Sequence, residues 1–382
     1  MRVAFVTNIP SHYRIGLFEK LAEEYETDFF FFSDGAERDW LRKNGLWGGN
    51  FHGEFLSGFR IPGVGRVTPS LFYKIASGKY DVVVKCINGK FALPATFITA
   101  KLLRRPFILW TGIWSHPKSL AHKVSFPLVR WIYSHSDAIV VYGDHVKRYL
   151  VNLGIESKKI FIGWNTVDNK LFNLPVTDFQ RSQVRASLGV GADEKLVLYV
   201  GRIENEKGLE YLVEAFSAVS KHMRGVLLVI GTGSMKEDLA RKASADVKGR
   251  VLFLDFVKNS ELWKYYSIAD VFVLPSVSTK MNKETWGLVI NEAMNQGCPV
   301  IATDAVGAAV GGLLEDGKTG LVVPEADSVR LADAITKILC DPQLTRDMKQ
   351  AALKKIAGWN YERQANGFAE AINYVAHKLN IS

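Results

Sequence analysis

Two carboxylates eight positions apart, Glu284 and Glu292, stand out in the run KETWGLVINEAMNQGCPVIATD at residues 283–304. Between them a Gly-Leu step, Gly287–Leu288, starts a helical pattern that puts Leu288, Ile290, Ala293 and Met294 on one side and stops at Gly297. The first turn of such a helix carries N–H groups without intrahelical partners, and its dipole favours an anion there. Glu292 lies roughly 7.5 Å farther along at 1.5 Å per residue, where a carboxylate can accept both hydroxyls of a ribose. Glu284, ahead of the helix, is expected on the far side of a diphosphate held at that first turn. The plain alternative is that one acid starts the helix and the other sits on its wet face.

Cations to grip such a diphosphate occur in GRIENEKGLEYLVEAF, where Arg202 and Lys207 follow an apolar run and precede a helix with Leu209, Leu212, Val213 and Phe216 on one face. Arginine supplies paired donors and lysine a point charge. The same residues suit a solvated loop paired with Glu204 and Glu206. In VLLVIGTGSMKEDLA, Gly231 and Gly233 let backbone N–H groups approach a ligand, but Lys236 stands where a dinucleotide fingerprint needs its third glycine. Asp255 ends the next apolar run, where an acid holds an adenosine ribose in such folds, so an NAD(P)-dependent oxidoreductase is the rival enzyme. GLLEDGKT at 312–319 fits the phosphate-loop pattern but is rejected: a strand-like GLVVP follows in place of a helix, and Glu315 and Asp316 oppose an anion.

The elements that must position these residues are short apolar runs separated by helical periods. RVAFVT, TDFFFF, YDVVVK, FILWT, AIVVYG and KIFIGW fill the first half; LVLYVG, GVLLVIG, RVLFLD, VFVLPS, PVIATD and GLVVP fill the second. Continuous apolar runs are parallel strands covered on both faces, and two such series predict two doubly wound Rossmann-like α/β domains. The expected division is 1–172 for an acceptor-binding domain and 173–360 for a donor-binding domain. A final helix at 361–382 packs on either. Residues 165–194 read as a linker. Ligands in open parallel sheets sit beyond the carboxyl ends of the strands, so two facing sheets would bind theirs in an interdomain cleft.

With 382 residues, 48% apolar and 23% charged, the chain reads as a soluble globular protein. No apolar run approaches the roughly 18 residues of a membrane span. MRVAFVTNIP enters a strand pattern without a leader, so a cytoplasmic location is expected. Three scattered cysteines, Cys86, Cys298 and Cys340, suggest neither a disulfide framework nor a zinc site. Residues 1–175 hold 23 Lys+Arg against 14 Asp+Glu, a difference of +9; the rest holds 25 of each. That asymmetry points to an anionic partner for the first half, a phosphate-bearing substrate or a lipid surface. KSLAHKVSFPLVRWIY, basic and apolar, could lie on the cytoplasmic face of an anionic membrane, against ordinary packing as the competing reading. No basic cluster interleaved with aromatics indicates nucleic acid. A non-enzymatic basic binding module is the remaining alternative.

Taken together, ETWGLVINE, GRIENEKG, ADVFVLPS, EAMNQGCPVIATD and EDGKTGLVVP resemble, in order and spacing, the retaining GT-B glycosyltransferases of family four. The likeness is close over about 195–327 and loose over 1–170, where VTNIPSHYR looks like a variant opening with Gly16 nearest to the usual loop glycine. By that resemblance the protein moves a hexose-type sugar from a nucleotide-diphosphate sugar to a glycan, lipid-linked or small-molecule acceptor, with retention and without a metal or other cofactor. Arg202 and Lys207 would stabilise the leaving diphosphate with help from the Gly287 and Leu288 amides. Glu292 would hold the ribose and Glu284 the donor sugar, with Thr285 and Trp286 in the same donor segment. No Asp-x-Asp pair exists to hold a metal-bound diphosphate, so cations and amides would carry the electrostatics. His116, in the loop after FILWT, is the first-half side chain named for the reacting centre.

Overall fold

A computed structural model describes residues 1–33, 49–63, 65–246 and 250–378. The chain divides into two units, Met1–Thr166 with Tyr361–Ser382, and Val167–Asn360.

In the first unit the strands are β1 (Arg2–Thr7), β2 (Glu26–Phe31), β3 (His52–Phe55), a hairpin of β4 (Phe59–Ile61) and β5 (Gly65–Val67), then β6 (Val82–Cys86), β7 (Phe107–Thr111), β8 (Ala138–Val141) and β9 (Ile160–Ile162). Seven of them form a parallel sheet in the order β3-β2-β1-β6-β7-β8-β9. β6, β7 and β8 are buried at every position, as continuous apolar runs under helices on both faces must be. The helix Tyr361–Lys378 belongs to this unit. Its Phe368 ring lies 5.8 Å from Phe5 and 5.4 Å from Trp110, and the Tyr361 hydroxyl donates to the Tyr13 carbonyl at 3.1 Å.

The second unit contains β10 (Lys195–Val200), β11 (Gly225–Ile230), β12 (Arg250–Leu254), β13 (Val271–Leu274), β14 (Val300–Thr303) and β15 (Gly320–Val323). All pair in parallel, in the order β12-β11-β10-β13-β14-β15. In both sheets the strand order reverses beside the first strand: between β1 and β6, and between β10 and β13. These are the switch points at which doubly wound sheets bind ligands.

Two expectations change. The stretch read as a linker contains the helices Asn169–Phe172 and Asp178–Ser187, the latter started by a capping box between Thr177 and Gln180. β3 and the β4–β5 hairpin, exposed or half-buried at every position but Val67, lack the continuous apolar signature and were not read from the sequence. The rejected GLLEDGKT leads directly into β15, with the Thr319 hydroxyl accepting from the Glu315 N–H at 2.7 Å, so the segment is a turn into a strand.

Candidate active site

The loops after β10 and β13 meet at the second unit's switch point. Gly208, at φ 63°, starts the helix Leu209–Val219, and a Cβ there would lie 2.1 Å from the Pro275 carbonyl. The Val277 N–H donates to the Glu206 carbonyl at 2.9 Å, joining the two loops. On this seam the Lys207 ammonium contacts Glu284 Oε2 in an ion pair with both side chains largely buried. Ser276 Oγ donates to the same oxygen at 3.4 Å, and the Thr303 hydroxyl holds the Ser276 carbonyl at 2.5 Å. The Glu284 backbone bridges to Val306 and accepts from the Gly307 N–H at 3.1 Å. A lysine and a carboxylate thus stand together where a strand-end ligand would sit, each fixed by its own loop.

Arg202 is more exposed; its Nη2 donates to Glu206 at 3.0 Å, while Glu204 accepts from the backbone and hydroxyl of Ser234. The Tyr199 hydroxyl, at the end of the buried β10, donates to the Arg202 carbonyl at 2.6 Å.

The helix Leu288–Asn295 begins at Gly287, whose φ of 90° is a left-handed conformation that glycine adopts without strain. Ile290, Ala293 and Met294 face the core as expected, whereas Leu288 is half-buried. Glu292 is only 7% exposed and accepts a 2.7 Å hydrogen bond from the Tyr266 hydroxyl. Burial pushes its carboxyl up to about 7, with the Tyr266 bond pulling the other way. Tyr266, on the helix Asn259–Ile268, is a neighbour that no motif in the sequence reveals.

Several proposed ligand contacts are occupied by the protein itself. The Trp286 indole is buried, stacks on Trp359 with centroids 6.0 Å apart, and donates to Asn291 Oδ1 at 2.9 Å. Thr285 is half-buried beside it. A Cβ on Gly231 would sit 1.9 Å from the Gly201 carbonyl, and one on Gly233 2.2 Å from that of Ile203. These two glycines admit the close approach of a neighbouring loop. Asp255 is paired with Lys236. In the first unit, a Cβ on Gly16 would meet the Tyr361 ring at 2.2 Å, so this glycine seats the final helix. His116 Nε2 lies 3.2 Å from the His122 carbonyl and its ring 4.2 Å from Phe126; burial lowers its pKa. Among the described residues no group of three or more His, Cys, Asp and Glu is placed to hold a metal, and no helix is long and apolar enough to cross a membrane.

Residues 180–355 match the family Glycosyl transferases group 1. Alpha-D-kanosaminyltransferase of Streptomyces kanamyceticus is 31% identical over 62% of this chain and 61% of its own length. Sulfoquinovosyl transferase SQD2 of Arabidopsis thaliana is 30% identical over 73% of this chain and 53% of its own length. The chain spans about half the length of the curated relatives it matches. Among solved structures, Anabaena Alr3699/HepE in complex with UDP-glucose superposes with a TM-score of 0.76 at 19% identity, over 98% of this chain and 99% of that one. Sucrose-phosphate synthase from Thermosynechococcus elongatus does so with 0.73 at 22%, over 99% and 100%. These likenesses show the fold, two Rossmann-like domains of GT-B type, and residues 180–355, the segment that bears the motifs, match the group 1 glycosyl transferases.

Proposed function

We propose that the protein is a glycosyltransferase that moves a hexose-type sugar from a nucleotide-diphosphate sugar, UDP-linked in the first instance, to a glycan, lipid-linked or small-molecule acceptor. The observation that carries the reading is the Lys207–Glu284 pair at the switch point of a parallel sheet, with a buried carboxylate on the adjoining helix. A diphosphate at the start of the helix Leu288–Asn295 meets unpaired N–H groups, the Lys207 ammonium and, with a change of partner, the Arg202 guanidinium. Glu292 accepts the ribose hydroxyls. Glu284 fixes Lys207 and takes the donor sugar. As the sugar C1–O bond breaks, its electron pair moves to the β-phosphate oxygen, where the developing charge meets Lys207 and the amides. The acceptor hydroxyl oxygen bonds to C1 and its proton passes to the leaving phosphate, a same-face route that retains configuration. Cations and amides fill the electrostatic role of a metal, so no cofactor is needed. Acceptor binding falls to the first unit, with His116 as the side chain named for it.

The nicotinamide alternative is weakened by the site itself: Gly231 and Gly233 are closed by the backbone of residues 201–203, and Asp255 is paired with Lys236. Calorimetric titration with UDP, GDP and NAD separates the readings. UDP or GDP binding that is lost in Lys207→Ala supports the transferase; binding of NAD alone rejects it.

Peripheral contact with the cytoplasmic face of an anionic membrane is part of the same proposal. Between Asp81 and Asp137 the chain carries eight Lys and Arg residues and no acid. Leu120, Val124, Leu128 and Trp131 on the helix Leu120–His135, with Ile98 and Leu102 on the adjacent helix Ala92–Leu102, are exposed beside Arg104, Lys123 and Arg130.

A further inference from the structure

The first sheet has its own switch point, between β1 and β6, and two buried cations close it. Arg14 is 8% exposed. Its Nη1 reaches Thr7 Oγ1 at 3.3 Å and Asn8 Oδ1 at 3.4 Å, its Nη2 reaches the Tyr142 hydroxyl at 3.0 Å, and its guanidinium lies 4.5 Å from the centre of the Trp110 ring. Its Nε is buried with no hydrogen-bond partner. Lys85 is fully buried, with its ammonium donating at 2.7 Å to the carbonyls of both Cys86 and Asn88 and lying over Phe32. Cys86 links the two: its sulfur is 3.5 Å from the Lys85 ammonium and it lies within the field of Arg14.

Among the described residues the hydrogen bonds of both side chains go to hydroxyl, amide, carbonyl and thiol groups; burial lowers the Lys85 pKa, while Arg14 keeps its charge. A buried charge left without a counter-ion is costly, and arginine cannot escape by losing its proton. Two helices, Ile15–Glu24 and Ala92–Leu102, start next to these strand ends with no acid in their first turns, adding positive potential. The half-buried Asn8, Tyr13 and Tyr142 and the exposed Asn88 form the solvent side of the cluster.

We infer that the first unit binds an anionic group, a phosphate or carboxylate, at Arg14 with Lys85 beneath it, and that the acceptor substrate carries that group. Arg14 supplies the direct contact, and Lys85 keeps the loop carbonyls of Cys86 and Asn88 turned away from the anion. The acceptor part of this inference rests on the transferase reading; the anion site does not.

The test is calorimetric titration of the full chain, saturated with UDP, with glucose 6-phosphate, glucuronate, inorganic phosphate and glucose, and flotation with phosphatidylglycerol vesicles. The expected result is saturable binding of at least one anionic probe, weakened about tenfold or more in Arg14→Gln and partly restored in Arg14→Lys. If only the vesicles bind and Arg14→Gln abolishes that binding, the anion is a lipid headgroup. No saturable binding of any anion, equal binding of glucose and glucose 6-phosphate, or an unchanged affinity in a folded Arg14→Gln overturns the site. Failure of UDP binding alone, with the Arg14-dependent anion binding intact, rejects the transferase reading and leaves the site standing.

Discussion

The Tyr266 hydroxyl donates a 2.7 Å hydrogen bond to Oε2 of Glu292, and this pair is enclosed by the protein. Burial raises the Glu292 carboxyl to about 7, so the folded chain holds a proton that the unfolded chain releases near the ordinary carboxylate value of 4.5. A group with a raised folded pKa contributes stability that is fully present below its unfolded pKa and is lost as pH rises through its folded pKa. Between about pH 4.5 and 7 this group therefore makes stability fall, by on the order of 3 kcal/mol at about 1.36 kcal/mol per unit. Glu292→Gln flattens that slope, which urea melts at several pH values measure.

Ligand binding runs the other way. Only the carboxylate accepts both ribose hydroxyls, so UDP affinity rises with pH through about 7. In Tyr266→Phe the bond that favours the charged form is gone, and the midpoint of that rise moves to higher pH. Calorimetry across pH 5.5–9 checks this; an unmoved midpoint in a folded Tyr266→Phe denies Tyr266 its positioning role.

The Lys207–Glu284 pair joins two loops and two proposed functions. Lys207→Ala removes the charge beside the leaving diphosphate and lowers kcat by about 10²–10³. It also strands a largely buried carboxylate, so stability falls with activity. The double variant Lys207→Met/Glu284→Gln regains much of the stability and none of the turnover. A double variant as active as the unmodified chain removes both residues from the mechanism.

Gly233→Ala tests whether the loops after β10 and β11 must touch. The new methyl would meet the Ile203 carbonyl at 2.2 Å, against backbone that has no side-chain freedom to yield. Overpacking of this kind costs about 1–3 kcal/mol. Denaturant melts should show that loss together with weaker UDP binding, because residues 201–203 lead into the Arg202 and Lys207 loop.

How far the sequence reaches is visible at these residues. Both parallel sheets were legible because strands buried on two faces have no polar alternation to obscure them. The exposed residues of β3 (HGEF) hid it, and the helix Asp178–Ser187 escaped because it buries none of its side chains, although its Thr177–Gln180 capping box was in plain view. In the site, glycine spacing signalled close approach at Gly16, Gly231 and Gly233 but not what approaches: an aromatic ring in one case and backbone in the others. Tyr266 and Ser276 left no signal, since their partners lie on other elements and only folding brings them together. The pairing of Lys207 with Glu284 was equally hidden, the two lying 77 positions apart.

The membrane prediction turns on exposed apolar side chains that packing leaves uncovered. Leu120 and Val124 are 79% and 76% exposed, one helical turn apart, and Leu102 on the neighbouring helix is 71% exposed. The two helices are in contact through Phe97 and Trp131, whose ring centres lie 5.1 Å apart, and the exposed Arg104, Lys123 and Arg130 lie on or just after them. Inserting such side chains below lipid headgroups removes apolar area from water, while lysine and arginine meet anionic phosphates. Phosphatidylglycerol vesicles should therefore carry the protein upward in a flotation gradient, and phosphatidylcholine vesicles much less. Leu120→Ser/Val124→Ser should reduce the floated fraction about tenfold, with the melting temperature nearly unchanged because exposed positions contribute little to stability. Lys123→Gln/Arg130→Gln should weaken flotation at low salt and make little difference at high salt, where the electrostatic share is already screened. Equal flotation of the apolar variant and the unmodified chain would assign the patch to something other than lipid.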